Sequence, residues 1–248
     1  MPYSFWKEPS HLHQERPWVF IFGALLAATA GFVNVVLLEI YHVPVSHMSG
    51  AVSRMAVELT AANGQDLPGA LAIFCAFLFG AILSGVVIGG VKVQPGRRYG
   101  VAMMLEGGLL TLATLLLMSG RQFGIPVAAM ACGLQNGMAS SYCGLILRTT
   151  HVTGLVTDIG VILGQWLRYR RIEFWKLVLL VMLLAGFFSG GWLGGWLFAR
   201  VGIAALLLVS AGVSLAGLLY FDWRRRHLHD FPLDRWGYFP PGDGEQGV

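Results

Sequence analysis

Residues 46–62 read SHMSGAVSRMAVELTAA, and residues 151–167 read HVTGLVTDIGVILGQWL. Whether these two segments cross a bilayer decides the fold. Both are short and more polar than the sequence around them. Ser46–Ala62 carries His47, Arg54 and Glu58; His151–Leu167 carries Asp158 and Gln165. Each begins beside Ser or Thr, which cap helix N-termini well, so each is predicted to be a helix. The flanking runs differ. Trp18–Ile40, Leu67–Val91, Tyr99–Met118, Gly124–Leu147, Phe174–Phe198 and Val201–Phe221 are predominantly apolar. Each supplies the roughly 20 residues that a membrane-spanning helix needs.

The composition agrees with a membrane setting. Hydrophobic residues make up 56% of the 248, and charged residues only 12%. A soluble domain carries about 25% charged residues, so this chain cannot cover a soluble surface. That argues against a soluble enzyme, a disordered chain or a nucleic-acid binder. The net charge of +4 does not reverse the conclusion, because the basic residues gather in short loops at the ends of the apolar runs. Cys75, Cys132 and Cys143 all lie within apolar segments and show no CxxC spacing. Neither a disulfide framework nor a metal site is expected from them. No cofactor is implied.

Lys and Arg distribution separates the topologies. If both polar segments turn back without crossing, and the N-terminus is inside, fourteen basic residues fall inside and two, Arg121 and Arg200, outside. If both cross, the split is eleven to five; if only the first crosses, it is twelve to four. The positive-inside rule favours the first arrangement. The expected fold is an all-α polytopic membrane protein of about six transmembrane helices plus two short re-entrant half-helices. Residues 1–17 form a cytoplasmic N-tail, 18–222 a single membrane domain, and 223–248 a polar, flexible C-tail. The expected location is the bacterial inner membrane, multi-pass, with both termini cytoplasmic.

The halves of the membrane domain, about 18–120 and 121–222, resemble each other. Gly31-Phe-Val-Asn34 matches Gly133-Leu-Gln-Asn136 at an offset of 102. His47-Met-Ser-Gly50 matches His151-Val-Thr-Gly154, and Ser53-Arg54 matches Thr157-Asp158, both at 104. Ser84-Gly85 and Gly89-Gly90 match Ser189-Gly190 and Gly194-Gly195 at 105. Three spans and one half-helix per half would turn the second copy upside down. Inverted repeats with partial helices near the midplane are a transporter architecture. The two half-helix N-termini would then approach each other inside the membrane.

Helical spacing puts His47, Gly50, Arg54 and Glu58 on one face, and His151, Gly154, Asp158 and Gln165 on another. An Arg or Asp facing lipid at mid-helix costs ~2.5–3.5 kcal/mol on insertion scales, so these stripes should face protein or water. Arg54 and Asp158 occupy matching positions and are expected to face a common interior, as a pair. The competing reading pairs Arg54 with Glu58 four residues on, and gives Asp158 a hydroxyl or Arg148. His47 and His151 are candidate proton carriers or packed, hydrogen-bonded histidines. Ser49, Thr149, Thr150 and Thr153 stand at the half-helix starts, where free N–H groups favour an anion or polar oxygen; capping alone would also explain them. Asn34, Gln135 and Asn136 could bind a solute or hold helices together. Glu106 falls in a span, a turn or two from a charged loop. No HExxH, GxSxG or P-loop pattern is present, and no catalytic residue or metal ligand is assigned.

Gly133 to Asp158, and Gly31-Phe-Val-Asn34 followed by His47-Met-Ser-Gly50, resemble the YoaK family of bacterial membrane proteins, over roughly residues 20 to 222. The resemblance implies a polytopic inner-membrane protein and carries no substrate. Asn34 and His47 depart from the pattern expected of that family. Taken together, the residues point to passage of a small polar or anionic solute, with protonation as a candidate coupling step. Asn34, His47, Ser49, Gln135, Asn136, Thr150, His151 and Thr153 would bind it. Arg54, Glu58, Arg148 and Asp158 would handle charge. The lipid bilayer is the expected surrounding partner, no nucleic acid is expected, and a homo-oligomer is compatible. The alternative is a non-transporting scaffold or sensor, in which the polar stripes are structural. An intramembrane enzyme would be a third class.

Overall fold

The computed structural model of the protein describes residues 18–42, 45–60, 66–89, 96–140, 149–170 and 172–227. Regular structure among the described residues is helical: α1 (Trp18–Tyr41), α2 (Met48–Thr60), α3 (Leu67–Ile88), α4 (Arg98–Met118), α5 (Gly124–Ser140), α6 (Val152–Tyr169), α7 (Phe174–Val201) and α8 (Ala205–His227).

Among the described residues, four stretches are long and apolar enough to cross a membrane: Phe20–Tyr41, Leu67–Ile88, Arg98–Met118 and Phe174–Arg226. The last contains α7 and α8. As one helix its 53 residues would extend about 80 Å, well beyond a ~30 Å hydrocarbon core. The 3-10 turn Gly202–Ala204 divides it. Gly202, at φ +64°, supplies the left-handed conformation that a side chain resists. Large apolar side chains stay exposed on the outer faces, among them Leu25, Phe79, Phe188 and Leu219. Exposed apolar area this extensive marks a non-aqueous surrounding.

Packing is dominated by two parallel crossings, α1 with α7 and α3 with α5, followed by α4 against α8. In the first, Ala24, Ala28 and Phe32 lie against Gly186, Gly190 and Gly194. In the second, Phe77 lies against Gly133, and Ser84 against Gly137. Both crossings depend on small residues. A Cβ on Gly31 would collide with the Phe187 carbonyl, and one on Gly133 with the Phe77 carbonyl. Backbones brought this close gain dispersion contacts along their length. The α4–α8 pair is antiparallel: Gly100 meets Gly217 and Phe221, while Gly107 meets Ser210 and Ser214. Overall, α1, α4 and α7 run one way, and α3, α5 and α8 the other.

The short helices behave differently. α2 packs chiefly on α3, and α6 on α7. Each buries a single side chain, Ala51 in α2 and Leu155 in α6. α2 starts beside Asn34, partway along α1, and ends near Asp66, just before α3. Tyr41 and His42, at the end of α1, share a cavity with Arg54 and Asp66. The start of α2 therefore lies alongside α1, and Arg54 and Asp66 lie near the C-terminal end of α1.

Two details go beyond the sequence reading. The packing of α3 and α7 relates them at a spacing other than the 105 of the sequence match. Phe77 stands to Gly133 as Phe187 does to Gly31, and Gly80 stands to Met130 as Gly190 does to Ala28; both relations give 110. The C-terminal boundary also moves. α8 continues past residue 222 through Arg224, Arg225 and Arg226 to His227, held in part by the Arg226–Asp222 ion pair at 2.6 Å. This lies one helical turn apart, where opposite charges support a helix.

Candidate functional site

The entries into α2 and α6 carry the same construction. Ser46 Oγ donates to Asn34 Oδ1 at 2.8 Å, and both residues are buried. Thr150 Oγ1 donates to Asn136 Oδ1 at 3.0 Å. In each case a hydroxyl just before a short helix reaches back to an Asn one or two turns before the end of the preceding long helix. These hydroxyls are thus anchors rather than caps, and the N-cap residue of α6 is His151, without a side-chain capping bond. The backbone carbonyl of His47 accepts from Gly50 N and Ala51 N, and that of His151 from Leu155 N. A histidine therefore stands at the head of each half-helix.

The two imidazoles are close enough to interact electrostatically. His47 Nδ1 lies 3.1 Å from Ser46 Oγ. That hydroxyl also donates to Asn34, so the imidazole and the amide share one polar group. The ring also meets Phe187 of α7 edge-on, with centroids 6.0 Å apart. His151 is more exposed and folds over its own helix. A Cβ on Gly154 would strike its Nδ1, which explains the His-x-x-Gly spacing. Thr149, beside this group, is fully buried, and its hydroxyl has no partner.

Each half-helix also borders a cavity. The first, of about 550 Å³, is lined by Gly50, Ala51 and Arg54 of α2, by Asp66, and by Gly69, Ala70 and Ile73 of α3, with Gln122, Phe123, Ile125 and Pro126 also lining it. The second, of about 750 Å³, includes Gly154, Leu155 and Asp158 of α6 and Lys176, Leu179, Leu180 and Leu183 of α7. Offsets of 104 for the half-helix and 110 for the long helix bring these seven positions into one-to-one correspondence. The first cavity lies at the C-terminal end of α1. The second lies at the N-terminal end of α7, which is parallel to α1, so the cavities occupy opposite ends of the bundle.

Most candidate residues gather around these features, but in different roles. Asn34, Asn136, Thr150, His47 and His151 form the central polar groups. Asn136 also donates to the Cys132 carbonyl at 3.1 Å. Thr153 faces the second cavity. Ser49 lies in the first turn of α2 and is exposed. Gln135 serves packing: its Nε2 donates to the Leu26 carbonyl at 2.7 Å, tying α5 to α1. Arg54 does not face Asp158. It pairs with Asp66 at 2.5 Å, and Glu58 accepts from the Asp66 backbone N–H at 3.2 Å. Asp158 lines the other cavity. Arg148 lies outside the described residues. Among the described residues, no group of three or more His, Cys, Asp or Glu could hold a metal ion.

Sequence reasoning missed Asp66 and Lys176, which sit at the edges of apolar runs and read as ordinary loop charges. It also undervalued Glu106. That side chain is only 1% exposed, and its Oε2 has no hydrogen-bond partner. It lies near enough to Cys132 for an electrostatic interaction. Its place beside Gly107, which packs on Ser210 and Ser214 of α8, draws it inward. No curated protein and no solved structure matches the chain. A family model described as a protein of unknown function, DUF1275, matches residues 22–220, and the chain belongs to that family.

Proposed function

We propose that this member of a family without an assigned activity, YoaK-like in its motifs, is an inner-membrane conduit for a small polar or anionic solute. In this reading the chain has six spans and two re-entrant half-helices, arranged as an inverted repeat. Both termini are cytoplasmic. The observation that carries the proposal is the pair of corresponding hydroxyl–Asn anchors, which set two histidine-headed half-helices toward each other between cavities at opposite ends. Non-helical backbone at membrane depth is tolerated where it is buried in protein or lines a cavity. Half-helix N-termini direct backbone N–H groups and the positive end of the dipole at whatever enters.

The solute would meet the half-helix N–H groups, the unpartnered Thr149 hydroxyl and the His47 imidazole. Proton exchange at the histidines would couple its passage. Arg54 and Asp158 would set the charge of the two entrances. The test is uptake by liposomes containing the purified protein, with chloride, nitrate, formate and phosphate as probes. We expect uptake of at least one anion above protein-free vesicles, reduced about tenfold by Asn136→Leu. Folded protein that moves none of them would replace this reading with the non-transporting scaffold or sensor.

A further inference from the structure

We infer that Asp158 and Lys176 form a second latch, the charge-inverted counterpart of Arg54 and Asp66, which closes the α6–α7 cavity when the α2–α3 cavity opens. The inference rests on the conduit reading for its purpose, but not for its geometry. At the first cavity, Arg54 on the half-helix reaches Asp66 at the head of α3 and holds the two helices together. The offset of 104 places Asp158 where Arg54 stands, and the offset of 110 places Lys176 where Asp66 stands. Both line the second cavity. The signs are exchanged: cation then anion in the first pair, anion then cation in the second. Either arrangement attracts across its cavity.

The two latches are in different states. Arg54 and Asp66 are joined. Lys176 instead pairs with Glu173, three residues earlier on its own helix. Asp158 is exposed and has no hydrogen-bond or ion-pair partner among the described residues. The unlatched cavity is also the larger, about 750 Å³ against about 550 Å³. All four side chains are substantially exposed, and ion pairs in such settings are weak. They suit a reversible bias of a few-fold between two arrangements rather than a permanent clamp.

The experiment uses the full-length protein in membranes, with Cys75, Cys132 and Cys143 replaced. Arg54→Cys with Asp66→Cys forms one pair, and Asp158→Cys with Lys176→Cys the other. A short bifunctional thiol reagent should join either pair. Joining the first should lower the yield of the second about threefold or more. Failure of the second pair to join, or equal yields whether or not the first is joined, would overturn the latch. Charge exchange gives an independent check. Asp158→Lys alone should increase labelling of a cysteine at Thr157, and adding Lys176→Asp should restore it; no restoration counts against the pair. Because these readouts need no solute, mutually exclusive cross-links without any uptake would preserve the latch and remove only the conduit reading.

Discussion

Ser46 Oγ lies 2.8 Å from Asn34 Oδ1, which fixes the point where the chain re-enters the bundle after α1. Thr150 and Asn136 repeat the contact at 3.0 Å after α5. Removing either hydroxyl leaves an amide oxygen without its partner, at a cost of about 1–3 kcal/mol. Ser46→Ala and Thr150→Val should therefore each lower the melting temperature in detergent. The double change Ser46→Ala with Asn34→Leu should recover part of the loss. Strictly additive effects would show that the bond contributes little.

The parallel crossings predict sharp position dependence among glycines. Gly31→Ala forces a methyl group against the Phe187 carbonyl and should destabilise by about 1–3 kcal/mol, the usual range for overpacking. Gly108 has nothing near its missing Cβ. Gly108→Ala should be neutral or stabilising by up to about 1 kcal/mol, from helix propensity alone. Thermal unfolding of the two variants side by side decides this.

Gln135 and Thr149 should separate packing from solute contact. Gln135→Leu loses the bond to the Leu26 carbonyl and should cost about 1 kcal/mol of stability, with any fall in uptake proportional to folded protein. Thr149→Val removes a hydroxyl that has no protein partner. Its melting temperature should stay unchanged or rise while uptake per folded molecule falls. Unchanged uptake would exclude the Thr149 hydroxyl as a solute contact.

Glu106 invites a conservative substitution. With Oε2 unpartnered, Glu106→Gln should keep the unfolding free energy within about 1 kcal/mol of the parent, since shape is conserved and no observed bond is lost. Glu106→Lys, which buries a longer cation among α4, α5 and α8, should abolish folded protein. A large loss in Glu106→Gln would reveal a partner for this carboxyl.

The long helices were legible because length and apolarity are sufficient to place them. The short helices α2 and α6 were legible as helices from polar residues at helical spacing beside Ser or Thr. The relation of α3 to α7 was not. Asp158 and Lys176 are 18 residues apart where Arg54 and Asp66 are 12 apart, which shifts everything after them. Glycine-rich helices also match themselves at several registers, so the sequence alone pairs Ser84-Gly85 with Ser189-Gly190 as readily as any other register. Helix packing distinguishes the registers because only one places Gly80 and Gly190 against backbone. The partner of Arg54 was missed for a related reason. Matching positions suggested Asp158, but Arg54 and Asp158 line different cavities, and Arg54 reaches Asp66 at the head of α3. The mixed character of the amides was legible only as a choice: Asn34 and Asn136 face the half-helix entries, whereas Gln135 faces α1.

The central claim is that α2 and α6 start in the interior and return to opposite sides of the membrane. Labelling with a membrane-impermeant thiol reagent tests it directly. Single cysteines at His42, Thr60, Tyr169 and Phe174 would be placed in a background lacking Cys75, Cys132 and Cys143. The account predicts that His42→Cys and Thr60→Cys label from one face, and Tyr169→Cys and Phe174→Cys from the other. Labelling of His42→Cys and Thr60→Cys from opposite faces would make α2 a full crossing and contradict the account.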